Sequence, residues 1–117
     1  MSKKNYIIIT NFNKYQHYKG DNMVWCKLYV KMLHDLSFIE LDGKTKWIFI
    51  GLLLLACEHK NNIVYNIKYL ERTLNTNNII KSIHILEQIK LIKTLSNSEE
   101  YEEYDEPITS EKILENK

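Results

Sequence analysis

Five polar side chains near residue 80 have the chemistry and the spacing to contact nucleic-acid bases. They are Asn77, Asn78, Lys81, His84 and Gln88. On a helix, positions 77, 81, 84 and 88 share one side, and this stripe contains no acid. Amide side chains can bond the major-groove edge of adenine, and lysine can reach guanine or phosphate. The stripe fits a DNA-recognition helix or the solvated face of an ordinary helix.

The apolar residues of the same segment predict how this helix is oriented. Ile79, Ile83 and Leu86 cluster opposite the polar stripe, which predicts a core-facing side. Ile80 and Ile85 flank the stripe. Packing in the core, contact with thymine methyl groups, contact with the N-terminal strand and contact with a second protomer all remain open for these two isoleucines.

Basic residues elsewhere could contact phosphates around such a helix. The candidates are Lys14, Lys19, Lys68, Arg72 and Lys93. The first two belong to the segment KYQHYKG, residues 14–20, which mixes lysines with aromatic side chains. Such a mixture suits a nucleic-acid backbone. Packing of the tyrosines against the next helix is the other interpretation of this segment.

Catalytic and metal-site patterns are weak in this sequence. The glycines at 20, 43 and 51 form no phosphate-binding loop, and most acids lie near the C-terminus, away from any predicted scaffold. Among the cysteines and histidines only Cys57 and His59 are close in sequence, without a recognisable zinc spacing. We therefore expect no enzyme activity, no metal site and no cofactor.

The chain divides into a basic body and an acidic tail. Residues 1–95 contain 14 lysines and arginines against 7 acids, whereas residues 96–117 contain 2 against 8. The body suits a polyanionic partner, and the tail could compete with that partner. No secretory signal is visible, and the apolar run from 47 to 57 is shorter than the roughly 20 residues that span a membrane. We expect a cytoplasmic protein without membrane contact.

Hydrophobic periodicity and capping residues predict a mainly helical chain with a small sheet. Asp42 and Asn66 are suitable N-caps for the second and third helices. A glycine within the second helix, Gly51, could let a neighbouring helix approach closely. The predicted order is a strand at 5–12, helices at 24–36 and 43–58, a strand at 63–65, helices at 67–74 and 78–90, and strands at 91–95 and near 100–104.

This order is that of a winged helix-turn-helix with an N-terminal strand and helix extension, an α+β fold. Residues 1–96 would form the domain, and residues 97–117 a tail that includes part of the wing. The end of the last helix resembles winged-helix domains, where Leu-Glu-x-x-Gly-Leu-Ile is frequent. Leu86, Glu87, Leu91 and Ile92 match that pattern, while Lys90 occupies the usual glycine position.

The N-terminal half resembles the N-terminal domain of phage and prophage replication initiators of the replisome-organiser type. The resemblance extends over about residues 12–95 and implies binding at a replication origin. Asp21, Met23 and Val24 depart from the basic residue and prolines that the family often has there, and the resemblance does not extend to the second domain with which such initiators engage a helicase or its loader. The matching residues are Tyr15, Gln16, His17, Tyr18, Lys19, Trp25, Lys27, Leu28, Tyr29, Gly51, Leu52 and Ala56.

Two functions remain open at this point. The first is double-stranded DNA binding by a phage-type protein in replication or transcription regulation, with helix 78–90 in the major groove. The second is a winged-helix fold that binds a host protein through Ile80 and Ile85, or through the acidic tail as a nucleic-acid mimic. A homodimer is compatible with either function.

Overall fold

A computed structural model describes residues 4–16 and 25–96 of the chain. These residues form a three-stranded antiparallel sheet and a set of helices. The elements are β1 (Lys4–Ile9), α1 (Phe12–Tyr15), a 3₁₀ helix (Val30–His34), α2 (Leu36–Ile39), α3 (Gly43–Glu58), β2 (Ile63–Val64), α4 (Ile67–Leu74), α5 (Ile79–Gln88) and β3 (Ile92–Ser96). The α+β class is therefore confirmed, and the layout is compatible with a winged helix.

The N-terminal strand lies at the centre of the sheet. β1 pairs with β2 on one side and β3 on the other, and Ile7 lies opposite both Ile63 and Thr94. Its three consecutive isoleucines are β-branched and fully or nearly buried. The predicted strand at 5–12 is thus correct up to Ile9, after which Phe12 starts a short helix.

The helix α3 is the central element of the core, as the sequence predicts. Asp42 caps it by accepting a 2.8 Å hydrogen bond from the Thr45 backbone N–H. Its buried residues include Ile48, Leu52 and Ala56, which are completely shielded from solvent. This helix packs against β1 and α5, so it joins the sheet to the helical layer.

Two close contacts fasten α4 to α3. A Cβ atom added at Gly51 would overlap the Leu74 side chain, so the glycine admits α4 as the sequence predicts. The Trp47 indole N–H donates a 2.9 Å hydrogen bond to the Leu74 carbonyl at the end of α4. At its other end α4 is capped by Asn66, which accepts from the Tyr69 N–H.

Lys90 ends the last helix in a left-handed conformation, with φ 67°. The Leu91 N–H donates to the Leu86 carbonyl and the Lys90 N–H to that of Glu87, both at 3.0 Å. This pair of bonds is a Schellman motif, in which glycine usually occupies the left-handed position. Lys90 therefore adopts the left-handed conformation at the position where the pattern Leu-Glu-x-x-Gly-Leu-Ile has glycine. This conformation is less favourable for lysine than for glycine.

The predicted helix over residues 24–36 is wrong within the described residues. Residues 25–29 are irregular, and only the short 3₁₀ helix and α2 follow. The buried Gln16 side chain explains the difference, because its amide donates to the Lys27 carbonyl and accepts from the Lys27 N–H, both at 2.9 Å. These two bonds hold the Lys27 backbone in the irregular segment.

The described strand of the expected wing, β3, does not pair as the sequence predicts. A wing is a hairpin of two consecutive strands, but β3 pairs with β1 at the opposite end of the chain. Ile9 lies opposite Ile92, and Lys4 lies opposite Ser96. The return strand expected near 100–104 and the tail at 97–117 lie outside the described residues.

Candidate nucleic-acid interface

The exposed side of α5 carries the predicted polar stripe. All five residues named for it are exposed in the structure, and Asn77 and Asn78 lie in the turn that precedes the helix. All of these residues except Asn77 line one shallow depression, together with Glu71, Ile80 and Ile85. The structure therefore brings these side chains together: Asn78, Lys81, His84 and Gln88.

The opposite side of α5 fixes its orientation. Ile79, Ile83 and Leu86 are completely buried, as the helical pattern predicts. The Ser82 hydroxyl is buried as well, and it lies 2.8 Å from the Thr45 hydroxyl of α3 in a hydrogen bond. A buried polar pair of this kind has a defined geometry, so it favours one rotation of α5 about its axis.

The start of α5 is held by a carboxylate of α4. Glu71 Oε2 accepts a 3.3 Å hydrogen bond from the Ile79 N–H, while Asn78 makes no capping bond through its side chain. A negative charge at a helix N-terminus is favourable, because the first N–H groups point towards it. Glu71 thus links the two helices, a role that the sequence did not reveal.

Acids from neighbouring elements approach the polar stripe, although the stripe itself has none. Glu71 lines the depression, and Asp42 lies close enough to Lys81 for their charges to interact. The pKa of Asp42 is lowered, chiefly by the side-chain hydrogen bond with Thr45 and then by the Thr45 backbone N–H, with smaller contributions from Lys44 and Lys81. Asp42 therefore stays ionised and partly offsets the local positive charge.

The two isoleucines beside the stripe have different exposures. Ile80 is 48% exposed, whereas Ile85 is partly buried. Both line the depression on α5, and neither is among the buried core residues beneath the helix. The side chains of these two isoleucines could contact a thymine methyl group or an apolar side chain of a protein partner.

The predicted phosphate contacts are spread over several elements. Lys68 and Arg72 are exposed on α4 and lie four residues apart, hence on one side of that helix. Lys14 is exposed on α1 and Lys93 on β3. Lys19 lies outside the described residues. Among the described candidates, Lys14, Lys68, Arg72 and Lys93, none lines the depression on α5.

A second surface, which the sequence did not predict, consists of exposed apolar side chains between residues 25 and 36. Trp25, Leu28, Val30, Leu33 and Leu36 are each more than half exposed. The predicted helix at 24–36 would have placed Trp25, Leu28, Leu33 and Leu36 on one face, but residues 25–29 are irregular in the structure. Met32 and Phe38, by contrast, pack against the core.

The described part of the chain lacks two further features, a cluster of metal ligands and a membrane-spanning helix. No group of three or more potential metal ligands occurs among residues 4–16 and 25–96. In the same residues, no helix combines the length and apolar character that a membrane crossing requires. Comparison of the chain with protein-family models, curated proteins and solved structures finds no match.

Proposed function

We propose that the protein binds double-stranded DNA as a phage-type winged-helix protein related to replication initiators. In this proposal α5 enters the major groove, and Asn77, Asn78, Lys81, His84 and Gln88 face the bases. The observation that carries the proposal is the exposed polar stripe on a helix whose other side is fixed in the core. A rigid helix is a suitable support for base contacts because their geometry is demanding.

The arrangement of α4 and α5 supports the same function. A short turn joins the two helices, and the Glu71–Ile79 hydrogen bond links them. In a helix-turn-helix the first helix crosses the DNA backbone while the second reads the groove. Lys68 and Arg72 on α4 would then contact phosphates, with Lys14, Lys19 and Lys93 as further phosphate contacts.

Fluorescence anisotropy with labelled DNA duplexes tests the proposal. We expect saturable binding of the full-length protein at low salt, weakening steeply towards physiological salt as displaced counterions return to the DNA. The measurement should include duplexes of unrelated sequence, since phosphate contacts alone give little selectivity. A folded protein that shows no binding even at low salt would refute the proposal.

One observation favours a second candidate, a protein-interaction module that binds a host factor. Five large apolar side chains between residues 25 and 36 are exposed, which is typical of a surface that a partner covers. The half-exposed Ile80 could extend such a contact to α5. Loss of partner binding after Leu33→Ser and Leu36→Ser, with DNA absent, would distinguish this function from the first.

A further inference from the structure

A partly enclosed cavity of about 530 Å³ lies where the end of β1, α3 and the segment around the 3₁₀ helix come together. Small-molecule sites in proteins usually measure roughly 300–1,000 Å³, so the cavity has the size of such a site. Among the described residues, none that lines this cavity also lines the depression on α5. It is therefore a separate surface of the molecule.

The inner wall of the cavity is apolar and largely aromatic. Ile9, Phe12, Phe49 and Leu53 line it, and all four are buried members of the core. Phe38 lines it as well, and its ring meets that of Phe49 edge to face, with the ring centroids 6.0 Å apart. A polar group placed against this wall would lose its water without gaining hydrogen bonds. The wall therefore suits an apolar body, and an aromatic one in particular.

The solvent-exposed side of the cavity is positively charged. Lys31 and Lys90 are exposed, Lys27 is half-buried, and all three line the cavity together with the exposed His34. The only acid among the described lining residues is Asp35, whose carboxylate caps α2. Three lysines against one aspartate favour a negatively charged group at the opening.

Hydrogen bonds between distant parts of the chain fix the walls. On one side the Thr10 N–H donates to the Leu91 carbonyl at 3.1 Å, and the Thr10 hydroxyl donates to the Lys90 carbonyl at 2.8 Å. On another side the buried Gln16 side chain is bonded to both backbone groups of Lys27 at 2.9 Å. A cavity held in this way needs little reorganisation to accept a ligand, which favours binding.

We propose that this cavity binds a small organic anion with an aromatic body. The ring system lies against Phe38 and Phe49, and the acidic group lies among Lys27, Lys31 and Lys90. The charge of the opening favours an anion, and the buried wall favours an aromatic body. The volume suits one small molecule. The proposal does not rest on DNA binding, since the cavity and the depression on α5 share no described residue.

Fluorescence titration of the full-length protein with anilinonaphthalene sulfonate tests the proposal. This probe is an aromatic sulfonate whose emission rises in apolar surroundings. Phenylnaphthylamine serves as the neutral comparison, because it has the same ring systems and lacks the sulfonate. We expect saturable binding of one sulfonate molecule per protein, with an affinity that falls as salt screens the lysines.

Replacement of lysines tests the charged side of the site. Lys90→Gly removes one charge and suits the left-handed backbone at this position, where φ is 67°. Lys60→Gly is the matched control, because Lys60 is also left-handed, with φ 59°, and is not among the residues that line the cavity. We expect Lys90→Gly to bind the sulfonate at least about threefold more weakly than Lys60→Gly does.

A double variant extends the same test. Lys27→Met combined with Lys90→Gly should weaken sulfonate binding by about tenfold or more, because two charges at the opening are lost. The methionine retains an apolar side chain at this position. Neither lysine variant should change the affinity for the neutral probe, since the aromatic wall is intact.

Amide chemical shifts in NMR spectra of the full-length protein locate the bound sulfonate. We expect the largest shifts at Thr10, Asn11 and Leu91, which belong to the cavity walls. Shifts confined to the exposed Leu33 and Leu36 would place the probe on the neighbouring apolar surface and overturn the proposal. Absence of saturable binding, or equal losses in Lys90→Gly and Lys60→Gly, would overturn it as well.

Discussion

At the residue scale, a few polar side chains do most of the positioning. Gln16 and Asn61 are both buried, and each pairs its side-chain amide with the N–H and the carbonyl of one distant residue. Asn61 pairs in this way with Ile9, and Gln16 with Lys27. Such pairs imitate one rung of a sheet and satisfy backbone groups that would be costly to bury alone. They are decisive contacts that sequence periodicity does not detect.

The lowered pKa of Asp42 predicts a specific dependence of stability on acid. Because the folded pKa lies below the ordinary value of 3.8, the ionised carboxylate stabilises the protein above that pH. This contribution is lost as pH falls through the lower folded pKa. Asp42→Asn keeps a capping oxygen but has no charge to titrate.

Urea unfolding at a series of pH values would measure this effect. We expect the wild type to be more stable than Asp42→Asn at neutral pH, with the difference shrinking below pH 3.8. A difference that is constant over this range would contradict the role assigned to the ionised carboxylate.

At the scale of elements, the sequence correctly predicted the helices whose first residues follow a capping side chain. Asp42 and Asn66 marked the starts of α3 and α4, and the structure confirms both boundaries. The predicted helix at 24–36 failed because Gln16, earlier in the chain, takes the backbone groups of Lys27. The central position of β1 was also unpredicted, since pairing between the two ends of a chain depends on the whole fold.

Two glycine substitutions test the close approach of α4 to α3. Gly51→Ala would place a methyl group against the Leu74 side chain, at an overpacking cost of about 1–3 kcal/mol. Because alanine gains about 1 kcal/mol over glycine in a helix interior, we expect a net loss of about 0.5–2 kcal/mol in the free energy of unfolding. Gly43→Ala is the matched control, because nothing lies within 4 Å of its added carbon. Its stability should equal or exceed that of the wild type.

Urea denaturation of the wild type and both variants measures their free energies of unfolding. Equal stability of the two variants would show that α4 does not require the glycine. The predicted ranking instead has Gly43→Ala at or above the wild type and Gly51→Ala clearly below it.

At the scale of the whole molecule, charge is the main feature that the sequence revealed directly. The basic excess of residues 1–95 is compatible with a polyanionic partner, and the last 21 residues carry 8 acids and 2 lysines. The sequence also located the polar stripe of α5, because helical spacing groups its residues. It did not reveal Glu71 and Asp42 beside the stripe, since their approach depends on how α3 and α4 pack.

Removal of residues 97–117 tests whether the tail competes with DNA. We expect tighter binding of the shortened protein at low salt, with a smaller gain at high salt because salt screens the charges. A full-length variant with the tail glutamates changed to glutamine should behave like the shortened protein. An unchanged affinity in both would contradict competition by the tail.

The central claim is that the exposed side of α5 reads DNA, and the double variant Lys81→Glu with Gln88→Ala tests it most directly. We expect a retained fold by circular dichroism and at least about tenfold weaker binding in DNA anisotropy. Lys4→Glu is the control, because it makes the same charge change as Lys81→Glu at a different site. Lys4 lies opposite Ser96 at the far end of the sheet. It should bind close to wild type. Wild-type affinity in the double variant, or an equal loss in Lys4→Glu, would contradict the account.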